Sequence, residues 1–238
     1  MKKVKSSFLV LMVLMLVASS LAGCVQPSGQ VSSAVSSSEV SSEAAVSSET
    51  EASSETEISE SLSSEVELPG DDALFAEDFE AGMDDWTTAE GNWSIVNDGT
   101  SVLKQSDRDA WEAIATAGDL GWTDYSVSGK FKLHNGYAGL LGRVDADGNM
   151  YLFDVNELGY CIWRKYQEGW SQLTSDNEYP VSVDEWHTFK MTFEGSTITA
   201  FIDGEQVGAP VTDNLIGSGK IGIRSSYGTF SIDDIVVE

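Results

Sequence analysis

Large aromatic side chains are confined to one part of this 238-residue chain, and that confinement decides where a core can form. All seven Trp, all seven Tyr and eight of the nine Phe lie between Phe75 and the C-terminus. Aromatic residues bury much of the apolar area of a protein core. The sequence therefore predicts one folded domain, at residues 71–238, which is a usual size for a single domain.

The charge balance and the cysteine count exclude two classes of protein. Asp and Glu outnumber Lys and Arg by 39 to 13, giving a formal net charge of −26. Such a chain repels phosphate backbones, so no nucleic acid is expected as a partner. The only two cysteines, Cys24 and Cys161, exclude a disulfide scaffold, and we expect Cys161 to be a buried thiol that packs like an aliphatic side chain.

The N-terminus has the pattern of an export signal. Three lysines within the first five residues precede an 11-residue apolar run at residues 8–18, which has the length of a signal-peptide core and is short for a membrane span. Residues 21–24, Leu-Ala-Gly-Cys, resemble the lipobox of bacterial lipoproteins. That resemblance implies removal of residues 1–23, a lipid on Cys24 and anchoring to the outer face of the bacterial cell membrane. An ordinary secretory signal with a coincidental cysteine is the alternative.

Residues 24–70 have the composition of a tether. Between Ser28 and Ser64 there are 16 Ser and 7 Glu in 37 residues, with no Lys, Arg or aromatic residue. Such a segment buries too little apolar area to offset an ordering cost of about 1–2 kcal/mol per residue. The sequence predicts a disordered Ser/Glu-rich linker that holds the domain about 35–40 Å from a lipid surface.

The pattern of the folded part indicates an all-β domain. Residues 125–133 alternate apolar and polar side chains, and residues 187–193 and 198–202 repeat this alternation, which is typical of half-buried strands. Turn sequences such as Asp203-Gly204 separate further short apolar runs. Many short strands without a long amphipathic helix predict a two-sheet antiparallel sandwich.

Several motifs occur in an order that resembles a known fold family. They are Asp78-Phe79-Glu80, the segment GNWSIVNDG at 91–99, and the segments 125–133, 139–153, 185–190, 202–205 and 230–235. They resemble the concanavalin A-like lectin/glucanase jelly rolls, and among these the laminin G-like group with family 66 carbohydrate-binding modules and the 3-keto-disaccharide hydrolase domain. The resemblance covers about residues 74–238. It implies a jelly-roll sandwich that binds an oligo- or polysaccharide, on a fold that hosts lectins, binding modules and hydrolases alike.

In the resembling proteins, sugar binds on an open sheet face, where aromatic rings and planar charged groups are needed. Charged residues inside apolar strands cannot face a core unpaired, so we expect Arg143, Asp154 and Arg164 to lie on that face. With their neighbours they form the predicted carbohydrate-binding group: Arg143, Asp154, Tyr160, Arg164, Tyr166 and Trp170. Two alternatives stay open: Arg143 and Asp154 form an ion pair on a solvated face, or a bulge brings Trp163 and Lys165 to the face instead.

The other tryptophans fall into two groups. We interpret Trp86, Trp93 and Trp186, which lie beside turns, as packing residues. Trp111 and Trp122 flank a loop-rich stretch, and the sequence leaves open whether they line an edge of the open face.

The resembling sandwiches often hold one structural calcium where the first and last strands meet. Asp78 and Glu80 in the first strand and Asp233 and Asp234 in the last would supply the oxygen ligands that calcium prefers. The apolar parity changes across the two adjacent aspartates, so we expect a β-bulge there. Such a bulge fits either an ion site or a charged edge strand.

The sequence favours binding over catalysis. It contains no Gly-x-Ser-x-Gly elbow for a nucleophile and no Glu-x-Asp-x-x-Glu strand like that of a glucanase of this fold. We therefore expect a cell-surface lipoprotein whose sandwich binds a glycan without cleaving it. The alternatives are a sugar-cleaving enzyme of the 3-keto-disaccharide hydrolase type, with carboxylates from different strands such as Asp154, and a structural or adhesive module.

Overall fold

The structure, a computed structural model, describes residues 73–238. The predicted signal peptide, the Cys24 lipidation site and the linker at residues 24–70 lie outside the described residues. The strands are β1 (Phe75–Glu77), β2 (Thr87–Ala89), β3 (Trp93–Asn97), β4 (Ser101–Gln105), β5 (Ala113–Ala117), β6 (Tyr125–Val144), β7 (Met150–Asn156), β8 (Gly159–Tyr166), β9 (Gly169–Asp176), β10 (Trp186–Glu194), β11 (Thr197–Ile202), β12 (Glu205–Gln206), β13 (Val211–Thr212) and β14 (Lys220–Val237). In this part of the chain, no helix is long and apolar enough to cross a membrane.

Two layers of antiparallel strands form the predicted sandwich. The first sheet has the order β12-β11-β10-β6-β14-β4-β3, with β1 and β13 at its margins. The second has the order β9-β8-β7-β6-β14-β5-β2. The layers pack face to face, as the rings of Tyr151 on β7 and Phe193 on β10 show with centroids 5.8 Å apart. The all-β sandwich predicted from the sequence is confirmed.

The long strands β6 and β14 belong to both sheets and bend where they pass from one to the other. At the bend the register of the pair shifts between Ser226 and Thr229. A Cβ atom at Gly136 would lie 2.5 Å from the Cα of Gly228, so the two backbones approach closely enough to require glycine. This bend brings residues from β14 onto the outer faces of both layers.

In the first sheet, the side-chain faces agree with the predicted alternation. Residues Val127, Phe131 and Leu133 of β6 are fully buried, while the polar residues between them are partly exposed. The same holds for Phe189, Met191 and Phe193 on β10. These faces, together with the inner face of the second sheet, form one continuous core. The predicted buried position of Cys161 is also confirmed.

Candidate functional site

The outer face of the second sheet carries an acid–base pair that is almost fully buried. Asp154 on β7 and Arg224 on β14 are 7 % and 4 % exposed, and Arg224 Nη1 lies 3.6 Å from Asp154 Oδ2. Strand β6 runs between them and places Gly139 opposite both residues. A Cβ atom at Gly139 would lie 3.2 Å from Asp154 Oδ1. The absence of a side chain at Gly139 therefore lets the two charged groups meet across the middle strand.

Each member of this pair keeps one polar atom without a partner. Asp154 Oδ1 and Arg224 Nε are buried and make no hydrogen bond. Leaving a buried donor or acceptor unsatisfied costs about 1–3 kcal/mol, so each such atom calls for an explanation; Arg164 Nε, on the other side of the sheet, is also unpartnered. An unpartnered acceptor and an unpartnered donor within one ion pair suit a hydroxyl, which both donates and accepts.

Two tryptophans flank the guanidinium group of Arg224. Its central carbon lies 5.9 Å from the ring centroid of Trp111 and 5.2 Å from that of Trp170, within cation–π range. Trp111 precedes β5 and is 54 % exposed, whereas Trp170, on β9, is partly buried. Tyr227, also exposed, packs on Trp111 with centroids 5.3 Å apart. An exposed aromatic ring and a half-buried one near a polar pair are typical of a binding site.

A second ion pair and an apolar floor complete this face. Lys165 Nζ lies 3.0 Å from Glu112 Oε1 and 5.6 Å from the centroid of Trp170. Beneath them, a small apolar cluster separate from the main core covers the sheet; its members are Leu141, Val144, Met150 and Leu152, with Ile114, Trp163 and Trp170 packed against it. The centre of this face is therefore apolar and buried, not merely solvated. We call Asp154, Arg224, Trp111, Trp170, Lys165 and Glu112 together the outer-face site.

Burial raises the pKa of Asp154 to about 7, although the charge of Arg224 acts in the opposite direction. The folded state therefore holds a proton on this carboxyl between about pH 4 and 7, where the unfolded state has lost it. Since the folded state binds more protons in this window, the free energy of unfolding falls as the pH rises through it.

This raised pKa predicts a pH effect on stability that one substitution removes. From pH 5 to 8, wild type should lose about 2 kcal/mol relative to Asp154→Asn, measured as the difference between their free energies of unfolding in urea at each pH. Asp147→Asn, at an exposed turn, is the control and should follow wild type at both values. A wild-type minus Asp154→Asn difference that does not change with pH would contradict the raised pKa.

Of the six residues predicted to bind carbohydrate, the structure places Asp154 and Trp170 on the outer face. The orientation predicted for Arg143 is wrong, because its side chain points into the protein and is 2 % exposed. Arg143 donates hydrogen bonds to the carbonyl oxygens of Thr123, Ile216 and Gly195. A buried arginine is tolerated here because these carbonyls satisfy the charged group.

The outward orientation predicted for the three residues of β8 is also wrong. Tyr160 is 2 % exposed in the main core, and Tyr166 packs against the same core. Arg164 pairs with the carboxylate of Asp213, which also accepts a hydrogen bond from the hydroxyl of Tyr151. The alternative parity, with Trp163 and Lys165 outward, is the one observed.

Sequence reasoning missed Arg224 altogether and left Trp111 undecided. Arg224 follows an alternating segment with Ile221 and Ile223 buried, so the rule applied to Asp154 would also have selected it. Trp122 packs against the core. Trp186, interpreted as a packing residue, is instead 36 % exposed, with Lys132 Nζ 4.8 Å from its ring centroid.

The four carboxylates predicted to bind calcium form hydrogen bonds or ion pairs with other groups of the protein. Glu80 accepts hydrogen bonds from the backbone and hydroxyl of Ser101, and Asp78 accepts one from the backbone of Glu80. Asp233 accepts one from Thr100, and Asp234 pairs with Lys130 at 2.6 Å. Among residues 73–238, no group of three or more acidic, histidine or cysteine side chains is placed to hold a metal. Calcium therefore stays a prediction, although the register shift between Asp233 and Val236 agrees with the expected bulge.

The family model described as a 3-keto-alpha-glucoside-1,2-lyase-like domain matches residues 73–238. A search of curated proteins found no match. The family match confirms the resemblance to the 3-keto-disaccharide hydrolase domain.

Solved structures with a similar fold include a carbohydrate-binding module, a galectin-like protein and a xylosidase. The carbohydrate-binding module CBM66 from Bacillus subtilis is 18 % identical, with a TM-score of 0.58 over 65 % of this chain and 95 % of its own. A galectin-like protein of unknown function from Bacillus subtilis is 13 % identical, with a TM-score of 0.51 over 70 % of this chain and 95 % of its own. A xylan β-1,4-xylosidase from Bacillus halodurans is 13 % identical, with a TM-score of 0.52 over 72 % of this chain and 40 % of its own. At these identities the likeness shows the fold.

Proposed function

This chain belongs to the family of 3-keto-alpha-glucoside-1,2-lyase-like domains, and from that premise we propose that its outer-face site binds a saccharide without cleaving it. The fold is shared with a carbohydrate-binding module and with a galectin-like protein. The family and the fold thus point to saccharides, and the outer-face site has the side chains that saccharide binding needs.

The observation that carries the proposal is the pair of unpartnered atoms between two tryptophans. A saccharide hydroxyl would accept a hydrogen bond from Arg224 Nε and donate one to Asp154 Oδ1. The apolar side of the sugar ring would pack against Trp111 or Trp170, whose ring centroids lie 5.9 and 5.2 Å from the guanidinium carbon of Arg224. Sugar rings have both a polar rim and an apolar face, so this combination suits them better than it suits a purely apolar or purely charged ligand.

The balance of charges supports binding of a neutral saccharide rather than its hydrolysis. Asp154 is paired with Arg224, and Glu112 is held by Lys165, so each of these two cations lies beside a carboxyl group. Glycoside hydrolysis uses two carboxyl groups, one as acid and one as base or nucleophile. Here the second carboxylate, that of Glu112, forms an ion pair with Lys165.

We further propose that the domain is displayed outside the cell. The lipobox at Cys24 supports a lipid anchor, and the acidic Ser/Glu-rich linker would hold the outer-face site away from the membrane surface. A binding domain at the end of such a tether would reach polysaccharides near the cell.

The experiment is a glycan screen of the full chain, followed by calorimetric titration of the bound saccharide with two matched variants. Trp111→Ala should weaken binding at least about tenfold, because it removes one aromatic wall. Trp186→Ala, which also removes an exposed tryptophan beside a cation but on the first sheet, should leave the affinity within about twofold. Equal losses of affinity in both variants, or no loss in Trp111→Ala, would contradict the proposed site.

One observation favours a second candidate function, a lyase acting on a 3-keto-glucoside. Removal of the proton next to a ketone needs a base whose pKa lies near the working pH, and burial raises the pKa of Asp154 to about 7. Arg224 would then stabilise the negative charge that develops on the ketone oxygen. Release of the leaving group from a 3-keto-glucoside by wild type and its loss in Asp154→Asn would identify this activity, whereas an unchanged ligand after prolonged incubation supports binding alone.

A further inference from the structure

A serine, a histidine and an aspartate are joined by hydrogen bonds in the first sheet, away from the outer-face site. His187, at the start of β10, places Nε2 2.8 Å from Ser182 Oγ and Nδ1 2.7 Å from Asp203 Oδ2. Ser182 lies in the loop before β10, and Asp203 lies in the turn between β11 and β12. These are the contacts by which a histidine base activates a serine nucleophile while a carboxylate orients the imidazole.

The fold holds the imidazole and the aspartate in place. The ring of His187 packs beside Phe131 with centroids 5.7 Å apart, and its side chain is 14 % exposed. The other carboxylate oxygen of Asp203 accepts a hydrogen bond from the backbone of Thr188 at 2.7 Å, while the Asp203 backbone donates one to the Thr188 carbonyl. Because the carboxylate can only accept, it fixes a proton on Nδ1 and leaves Nε2 of a neutral imidazole directed at the serine.

The loop that carries Ser182 is anchored on both sides and open to solvent. Val181 is buried, and the backbone of Asp184 donates a hydrogen bond to the Leu133 carbonyl at 2.8 Å. Between these anchors Ser182 is exposed. A nucleophile in this position is both oriented and accessible to an external reagent.

We propose that Ser182, His187 and Asp203 form a second reactive site, in which Ser182 is a nucleophile toward exposed carboxylic esters. Ser182 Oγ bonds to the ester carbonyl carbon while its proton moves to His187 Nε2. The tetrahedral intermediate then breaks the bond to the alcohol oxygen, which takes the proton from His187. Water repeats these steps on the acyl-serine, releasing the carboxylic acid and restoring Ser182. Asp203 is a positioning residue for His187.

A competing acceptor sets the expected reactivity. Glu185 Oε2 lies 2.5 Å from Ser182 Oγ, and the serine has one proton to give. When that proton points at Glu185, His187 cannot take it. We therefore expect Glu185→Ala to raise the reactivity of Ser182 at least about twofold.

The protein contains its own control for accessibility. His134 makes the same two contacts, with Nδ1 2.6 Å from Asp184 Oδ1 and Nε2 3.1 Å from Ser231 Oγ. Ser231, however, is only 2 % exposed. If hydrogen bonding and access are both required, a reagent should modify Ser182 and leave Ser231 unmodified.

The test treats the full chain with a fluorophosphonate probe, which forms a Ser–O–P bond with loss of fluoride, and maps the modified peptide by mass spectrometry. We expect label on Ser182, none in Ser182→Ala, and unchanged label in Ser231→Ala. His187→Gln and Asp203→Asn should each lower the labelling rate at least tenfold. Circular dichroism of every variant confirms that it is folded.

The pH profile separates a chemical role from a structural one. The wild-type labelling rate should rise with pH through one inflection. Asp203→Asn should show the same inflection at a lower labelling rate, and His187→Gln should show no inflection. Absence of label on Ser182, or a labelling rate in His187→Gln equal to that of wild type, would overturn the proposal. Loss of label in Glu185→Ala would assign the proton to Glu185 and overturn the role of His187. Saccharide binding at the outer-face site is independent of all these outcomes.

Discussion

Arg224→Lys is expected to weaken saccharide binding roughly ten- to hundredfold, although it keeps the positive charge. Lysine has no counterpart of the Nε donor beside Asp154, and its ammonium group does not offer a flat surface to the two flanking tryptophans. A lost hydrogen bond to a charged group is worth about 1.5–3 kcal/mol, which gives this range of affinity. Calorimetric titration of the full chain with the saccharide found by screening measures the change.

Arg164→Lys is the matched control for this substitution. Arg164 lies on β8 and pairs with Asp213 on the inner side of the sheet, whereas Arg224 lies on the outer side. We expect Arg164→Lys to change the affinity less than about threefold, since the residue does not face the ligand. A larger loss of affinity in Arg164→Lys than in Arg224→Lys would contradict binding of the saccharide on the outer side of the sheet.

Arg143→Met is expected to lower the free energy of unfolding by about 3–5 kcal/mol, the largest effect on stability that we predict. The guanidinium group is buried and donates to three backbone carbonyls, and it also packs over the ring of Phe193 with 4.9 Å to the centroid. Methionine fills part of the space and leaves the carbonyls without donors, each a substantial cost. Urea unfolding of the full chain measures the loss.

Arg108→Met provides the comparison, because Arg108 is exposed in the loop after β4. A surface substitution of this kind changes stability by less than about 0.5 kcal/mol. If Arg143→Met lost less than about 1 kcal/mol, Arg143 would not be the structural link that its contacts indicate. If it remained stable and lost saccharide binding instead, the sequence-based assignment of Arg143 to the ligand would be restored.

The sequence predicts the faces of the first sheet correctly because only one of those faces is buried. On β6 and β10, apolar side chains occupy alternate positions, so Phe131 and Phe189 can be assigned to the core by parity alone. The second sheet is buried on both faces in its centre. On β7 every residue from Met150 to Val155 is buried, which removes the alternation on which the assignment depends.

The charged residues of the second sheet misled the prediction for a related reason. Arg164 and Lys165 are adjacent on β8, so the rule that charges avoid the core cannot decide which of them faces outward. Arg164 avoids an unpaired burial by meeting Asp213, which is 49 residues away in the sequence. The pairing of Asp154 with Arg224 depends on β6 passing between their strands, which no local pattern reveals.

The measurement that tests the central claim most directly is a crystal structure of the full chain with the saccharide identified by screening. The account predicts a sugar hydroxyl within hydrogen-bonding distance of Arg224 Nε and Asp154 Oδ1, with the ring against Trp111 or Trp170. A saccharide bound instead beside Trp186 on the first sheet, with the Asp154–Arg224 pair uncontacted, would contradict it.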